Sequence, residues 1–170
     1  MKTKLVILRG NSGSGKSTIG KSLQKELGQG TMLIPQDVVR RELLCVNDRV
    51  GNPAIDLIST MALFGKDRLA YVIIEGIFNR SRYGEMLDQL LSAFDQQACV
   101  YYFDLSFEET LRRHQTKDPA ADFGVAELGA WWNQGDYLGT QGEVMLTAEQ
   151  SQSEIVELIL GDLANLKSST

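Results

Sequence analysis

The chain has 170 residues, 43 % of them hydrophobic, and a formal net charge of −5 at pH 7. A chain of this length is expected to fold as one domain, burying roughly 70 % of its unfolded surface without help from a disulfide or a structural metal. The acidic balance gives no basic field for nonspecific nucleic-acid binding, and Cys45 and Cys99 lie too far apart for a CxxC redox or zinc motif, which fits a reducing, cytoplasmic setting.

Taken in order, the apolar run at residues 4 to 8 (KLVIL) reads as a strand; it is too short for a signal-peptide core, and no later run reaches membrane-spanning length. Ile19, Leu23 and Leu27 then recur at helical spacing, with Gly28 as the stop. A second strand at 31 to 35 ends on Pro35, which cannot donate to a sheet ladder and so places this strand at an edge. Strands at 70 to 74 and 98 to 103 flank a helix whose apolar face is Met86, Leu87, Leu90, Leu91 and Phe94. Ser106 with Glu109 has the spacing of a capping box, as does Ser151 with Glu154 after a last strand at 143 to 147. Residues 118 to 142, rich in glycine and without Lys or Arg, read as a mobile covering element. With no internal repeat or linker, residues 1–170 form a single α/β domain: alternating strands and helices predict a mostly parallel sheet covered on both faces.

After the first strand stands RGNSGSGKST, which fits G-x-x-x-x-G-K-[ST] with Gly10, Gly15, Lys16 and Ser17 at the defining positions. Glycines let the backbone turn sharply and aim successive N–H groups inward, forming an anion nest at the positive end of the following helix. Residues Asn11, Ser12, Gly13, Ser14, Gly15, Lys16, Ser17 and Thr18 are therefore expected to hold a nucleoside triphosphate. Lys16 would reach its outer phosphates, and the Ser17 hydroxyl would ligate Mg²⁺. ATP and Mg²⁺ are the expected ligands.

With this loop the chain resembles the P-loop kinases of small acceptors, a group that includes nucleoside, shikimate and gluconate kinases, chloramphenicol phosphotransferase and the polynucleotide kinases. The resemblance implies a three-layer P-loop NTPase fold: a five-stranded parallel sheet in the order 2-3-1-4-5, helices on both faces, and a lid over about residues 112–142. The second strand would then lie at an edge, as Pro35 independently requires.

Asp37 follows that strand at the carboxyl edge of the sheet, on the side of the phosphate loop. Its stretch DVVR resembles the D-x-x-R of polynucleotide kinases, which implies a base at Asp37 and an acceptor contact at Arg40; the bland alternative is that Asp37 only caps the helix VVRRELL. Glu75, ending the third strand in VIIEGIFN, resembles a Walker B carboxylate, facing the metal through water, orienting the acceptor, or closing the strand. Arg80 and Arg82 are candidates for holding an anionic acceptor, with solvation the expected fate of at least one. Arg113 and Lys117, one helical turn apart, resemble lid cations in an R-x-x-x-K pattern where the family usually ends in Arg; a solvated basic helix end is the alternative.

The single histidine, His114, rules out a Ser/His/Asp triad and a histidine metal cluster. Of Trp131 and Trp132, which project about 100° apart on a helix, one is expected to stack on a ligand and the other to pack. Asp136 has no assigned role. The resemblance puts the adenine near Thr147 and the lid helix.

The expected activity is transfer of the γ-phosphoryl group of ATP to a hydroxyl of a small molecule, a nucleoside or another metabolite. A 5′-hydroxyl polynucleotide kinase is the alternative acceptor reading, which the acidic balance disfavours. An ATP-binding switch or slow ATPase without an acceptor is a reading of another class, and the absence of N-K-x-D argues against a GTPase. Nothing in the residues fixes an oligomeric state.

Overall fold

A computed structural model describes residues 2–95, 97–115 and 125–166. Five strands, β1 (Lys4–Gly10), β2 (Thr31–Pro35), β3 (Tyr71–Gly76), β4 (Ala98–Phe103) and β5 (Glu143–Leu146), form one sheet in the order β2-β3-β1-β4-β5. Every neighbouring pair is parallel, with Ile7 of β1 opposite Ile74 of β3 and Val100 of β4. Pro35 lies on the edge strand, as its missing N–H demands.

Side chains of a strand alternate between faces, and the core divides accordingly. Leu5, Ile7, Val72 and Ile74 pack with Ile58 and Ala62 of α2 (Ala54–Gly65) and with Met86, Leu87 and Leu90 of α3 (Arg80–Phe94). Val6, Leu8, Ile73 and Tyr101 face the other way, onto Ile19 and Leu23 of α1 (Lys16–Leu27) and Ile155 and Ile159 of α6 (Gln152–Asn165). Each fully buried Val, Leu, Ile or Met among them contributes about 1.5–3 kcal/mol. The parallel strands thus all point their carboxyl ends, and the loops that follow them, to one edge.

Some local expectations are corrected. Strand β5 stops at Leu146, one residue short of the expected end, whereas β3 ends on Glu75 and Gly76 as expected. Helix α2 (AIDLISTMALFG), with Asp56 its one charged residue, is an element the sequence reading did not single out; it buries Ala54, Ile58 and Ala62 at a spacing of four. The Ser151 box is complete, whereas the one at Ser106 is half made: the Ser106 hydroxyl accepts from the Glu109 N–H, but the Glu109 carboxylate turns to Arg112 and Arg113 instead of reaching back. That pairing sits on α4 (Phe107–Gln115).

Of the covering element expected over residues 118 to 142, residues 118 to 124 lie outside the described residues, and the rest makes specific contacts with the body of the domain. After α5 (Val125–Ala130), the backbone of Asn133 exchanges two hydrogen bonds with the Asn11 side chain, at 2.7 and 2.8 Å. Asp136 accepts from Arg9 at 3.0 Å, and Leu138 is buried. Arg9 itself is fully buried at the end of β1, donating to Asp136, Glu143 and the Phe78 carbonyl, with Tyr102 beneath it.

Candidate nucleotide and acceptor site

The loop between β1 and α1 has the geometry its sequence demands. At Gly10 a Cβ would stand 2.9 Å from that of Phe103, so only glycine lets the chain leave the sheet beside β4. Gly15, immediately before α1, has φ +101°, a conformation L side chains rarely adopt. Lys16 is buried, with Nζ donating to the Asn11 carbonyl at 2.6 Å and to Ser14 Oγ at 3.1 Å, which arches the side chain back over the loop. Ser17 and Thr18 follow on the first turn and are exposed.

Ser17 Oγ donates to Glu75 Oε1 at 2.9 Å, so the hydroxyl and the carboxylate expected near a metal do meet. Glu75 is 5 % exposed, and burial raises its carboxyl above the usual carboxylate range, opposed by the Lys16 charge and the Ser17 hydrogen bond. A hydroxyl and a desolvated carboxylate are hard oxygen donors. Mg²⁺ characteristically binds through one or two carboxylates together with substrate phosphates, so this pair fits it.

Asp37 stands across from Glu75, and both line a cavity of about 150 Å³ with Lys16, Ser17 and Gly76. The six residues after Asp37, Val38–Leu43, form a π-helical turn, and the Asp37 side chain makes no capping hydrogen bond to it. Its Oδ1 instead accepts from Arg40 Nη2 at 3.2 Å and lies 3.6 Å from Arg41 Nε. The capping alternative is thereby removed, and Asp37 is left 67 % exposed over the loop.

A larger cavity of about 670 Å³ opens on the other side of Asp37, between the π-helical turn and α5. Arg40, Arg41, Arg82 and Trp131 contribute to its wall. Arg82 is tied to Asp48 by 2.8 Å and 2.7 Å contacts to its carboxylate and carbonyl. Arg80, singled out alongside it in the sequence, does not line this cavity: it is exposed, donates to the Tyr137 carbonyl, and borders a separate hollow along α3. Two positions along a helix reverse the direction of a side chain, and the spacing alone did not say which arginine would face in.

On the far side of the loop a third cavity, about 420 Å³, is bounded by Thr18, Phe103, Arg112, Arg113 and Gln150. Arg113 reaches the phosphate loop directly, Nη1 donating to the Ser14 carbonyl at 3.0 Å while Nε donates to Glu109 at 2.6 Å. Lys117 lies outside the described residues. Trp131 borders the Asp37 cavity, whereas Trp132 packs edge-on against Phe107 at 5.3 Å between centroids.

Sequence reasoning missed Gln36. It is buried, accepts from the Phe78 N–H and crowds Gly76 so closely that a Cβ there would stand 2.3 Å from Gln36 Oε1. The only signal was its place between an edge strand and Asp37.

Sheet order, loop and helical layers together define the fold of the P-loop kinases. Solved structures of that fold superpose along nearly the whole chain. A gluconokinase from Sinorhizobium meliloti 1021 matches with TM-score 0.68 and 19 % identity, over 96 % of this chain and 93 % of its own. The Mycobacterium tuberculosis APS kinase CysC, in complex with AMPPNP and APS, matches with TM-score 0.70 and 18 % identity, over 96 % and 98 %. Shikimate kinase from Aquifex aeolicus vf5 matches with TM-score 0.58 and 17 % identity, over 94 % and 96 %. No protein-family model and no curated sequence matches the chain.

Proposed function

We propose that this protein is a cytoplasmic, ATP-dependent phosphotransferase that moves the γ-phosphoryl group to a hydroxyl of a small acceptor. The observation that carries this reading is the position of Asp37, which lines both the small cavity beside Lys16, Ser17 and Glu75 and the large cavity beyond. A hydroxyl entering from the large cavity would reach this carboxylate, which also borders the small cavity beside the phosphate loop. The fold it shares with gluconate, shikimate and APS kinases supports the same reaction class.

In this reading the loop N–H groups and Lys16 hold the β- and γ-phosphates, and Arg113 brings a guanidinium to the loop. Ser17 and Glu75 would hold Mg²⁺, which when bound neutralises charge on the phosphates. Asp37 accepts the acceptor's proton as the hydroxyl oxygen bonds to the γ-phosphorus. The bond from that phosphorus to the β–γ bridging oxygen breaks, and ADP leaves with the electron pair. Arg40 holds the Asp37 carboxylate in place. Lys117 remains a candidate second lid cation, and Arg80 a contact for a group outside the large cavity.

The test is ADP formation from Mg-ATP across hydroxyl compounds, including nucleosides, sugars, hydroxy acids and 5′-hydroxyl oligonucleotides, with Lys16→Ala and Asp37→Asn alongside. Acceptor-stimulated turnover lost in both variants supports the transferase. ATP binding with no acceptor effect would instead favour a switch or slow ATPase, and stimulation by oligonucleotides alone would favour a polynucleotide kinase.

A further inference from the structure

Apart from the three cavities around the phosphate loop, a hollow of about 480 Å³ opens between the loop that follows β4 and the segment that follows α5. Four aromatic side chains line it, Tyr102, Phe107, Trp132 and Tyr137, together with the carboxylates of Asp104 and Glu108. Among the described residues no lysine, arginine or histidine lines it. None of these six residues has a part in the phosphoryl-transfer chemistry.

The rings are held in place by one another. Tyr102 and Tyr137 meet edge to face at 5.1 Å between centroids, and Phe107 and Trp132 do so at 5.3 Å, the arrangement that ring quadrupoles favour. The Tyr137 hydroxyl donates to Asp104 Oδ2 at 3.0 Å, which orients that carboxylate. The walls are thus set before a ligand enters, which lowers the cost of ordering on binding. Neighbouring guanidinium groups are engaged elsewhere. Arg112, one turn beyond Glu108, is held by Glu109 through two hydrogen bonds of 2.8 Å. Arg9, 5.5 Å from the Tyr102 centroid, is buried and paired with both Asp136 and Glu143.

Aromatic faces and carboxylates attract the same kind of ligand, a cation whose charge is spread over alkyl groups. An anion would be repelled by both, and a neutral apolar molecule would leave the carboxylates unanswered. A bare metal ion needs more hard donors, and among the described residues no group of three or more His, Cys, Asp or Glu could hold one. The dipole of α4 accounts for an acid at Glu108 in its first turn, but not for four rings beside it. The volume lies in the range of small-molecule sites.

We propose that this hollow binds a small organic cation, a primary or quaternary alkylammonium ion. Its charge lies by Asp104 and Glu108, and its alkyl groups rest on the rings. The site does not depend on the transferase reading.

The test uses Trp132 as reporter, in the full chain with Trp131→Phe so that one indole remains. Choline and butylammonium are titrated against their uncharged counterparts, 3,3-dimethylbutan-1-ol and butan-1-ol, up to tens of millimolar at constant ionic strength, and calorimetry repeats each titration on the unsubstituted chain. At least one cation is expected to bind about tenfold or more tightly than its neutral partner, and the two arms show whether a quaternary or a primary ammonium is preferred. Glu108→Gln, and Asp104→Asn, which keeps an acceptor for the Tyr137 hydroxyl, should each weaken the cation severalfold and leave the neutral partner unchanged. Tyr137→Leu should weaken it as well, whereas Tyr137→Phe should not, because the ring and not the hydroxyl meets the charge.

If neither cation binds more tightly than its neutral partner, or if the preference persists when Asp104→Asn and Glu108→Gln are combined, the proposal is overturned. That first comparison is made on the native walls, so it decides the matter even where a substituted chain melts early.

Discussion

The Arg9 guanidinium donates to the Asp136 carboxylate across 3.0 Å, joining residues 127 positions apart and pinning the return of the covering element to the central strand. Its other terminal nitrogen holds Glu143 at 3.1 Å, and Glu143 in turn accepts from the N–H groups of Leu138 and Gly139. The arrangement is costly to build, since Arg9 is fully buried and its Nε has no hydrogen-bond partner among the described residues. Removing one member leaves the others charged and buried. Arg9→Ala is therefore expected to lower stability by about 3–5 kcal/mol. For a chain of this size that is a fall in melting temperature of roughly 6 to 20 °C by calorimetry. Asp136→Asn, which keeps an acceptor beside Arg9, should cost less. A fall of the same size in both would mean that charge, not hydrogen bonding, holds the strap.

Asp37→Asn separates catalysis from folding. A helix-capping Asp costs about 0.5–2 kcal/mol when its side chain is lost. Here the carboxylate makes no cap and forms only partly exposed pairs, so the change in stability should stay under about 1 kcal/mol. A lost general base lowers kcat by roughly 10²–10⁴. Steady-state kinetics with an active acceptor, set beside thermal melts, should thus show a large drop in kcat at nearly constant Tm. The reverse pattern would return Asp37 to a structural role.

How much of this was legible in the sequence follows from what each feature depends on. The phosphate loop is made of backbone N–H groups, φ values only glycine adopts, and one lysine, so residue types in a fixed spacing carry it. The edge position of β2 was readable because Pro35 lacks a donor. Arg9 was not, since a lone arginine ending LVILRG looks like the start of a loop until Asp136 and Glu143, far along the chain, are folded onto it. Likewise nothing in RSRY told that Arg82 would line the large cavity and Arg80 would not. That choice is set by where α3 lies against the sheet, a matter of packing and not of local pattern.

Glu75 supplies a pH dependence with a definite sign. Burial raises its carboxyl in the folded chain, so the folded state holds the proton more tightly than the unfolded state does. Stability without ligand should therefore fall as pH rises from the ordinary carboxylate range through the raised value. Glu75→Gln should abolish that slope and leave the metal-free protein at least as stable at neutral pH. With Glu75 as the proposed Mg²⁺ ligand, the ionised form would be needed, so metal-dependent nucleotide affinity should weaken on acidification at a higher pH than an unperturbed carboxylate would give, and should be poor at every pH in Glu75→Gln. Thermal melts and Mg-ATP titrations from pH 4 to 8 test both halves of this. A slope unchanged by Glu75→Gln would assign it to other groups.

Arg113 and Glu109 make the last pair that can be tested. Arg113 touches the phosphate loop at the Ser14 carbonyl, and Glu109 aims it there from one turn back on α4. Hydrogen bonds from Arg112 and Arg113 hold the Glu109 carboxyl down to about 2, so the aiming group stays ionised throughout any ordinary assay and loses its charge only in strong acid. The contribution of this pair to turnover should accordingly be flat with pH. A cation placed on a transferring phosphoryl group is worth roughly 10³–10⁵ in rate, so Arg113→Ala should lower kcat by about 10³ or more. Arg113→Lys should recover only part, because an ammonium cannot reproduce the fork between Glu109 and the loop. Glu109→Gln acts on position alone and should fall between wild type and Arg113→Ala, raising KM for ATP less than it lowers kcat. If Arg113→Ala leaves kcat within about tenfold of wild type while the protein melts at a lower temperature, Arg113 is a strap on the Ser14 carbonyl, and the charge on the γ-phosphate must be met from elsewhere.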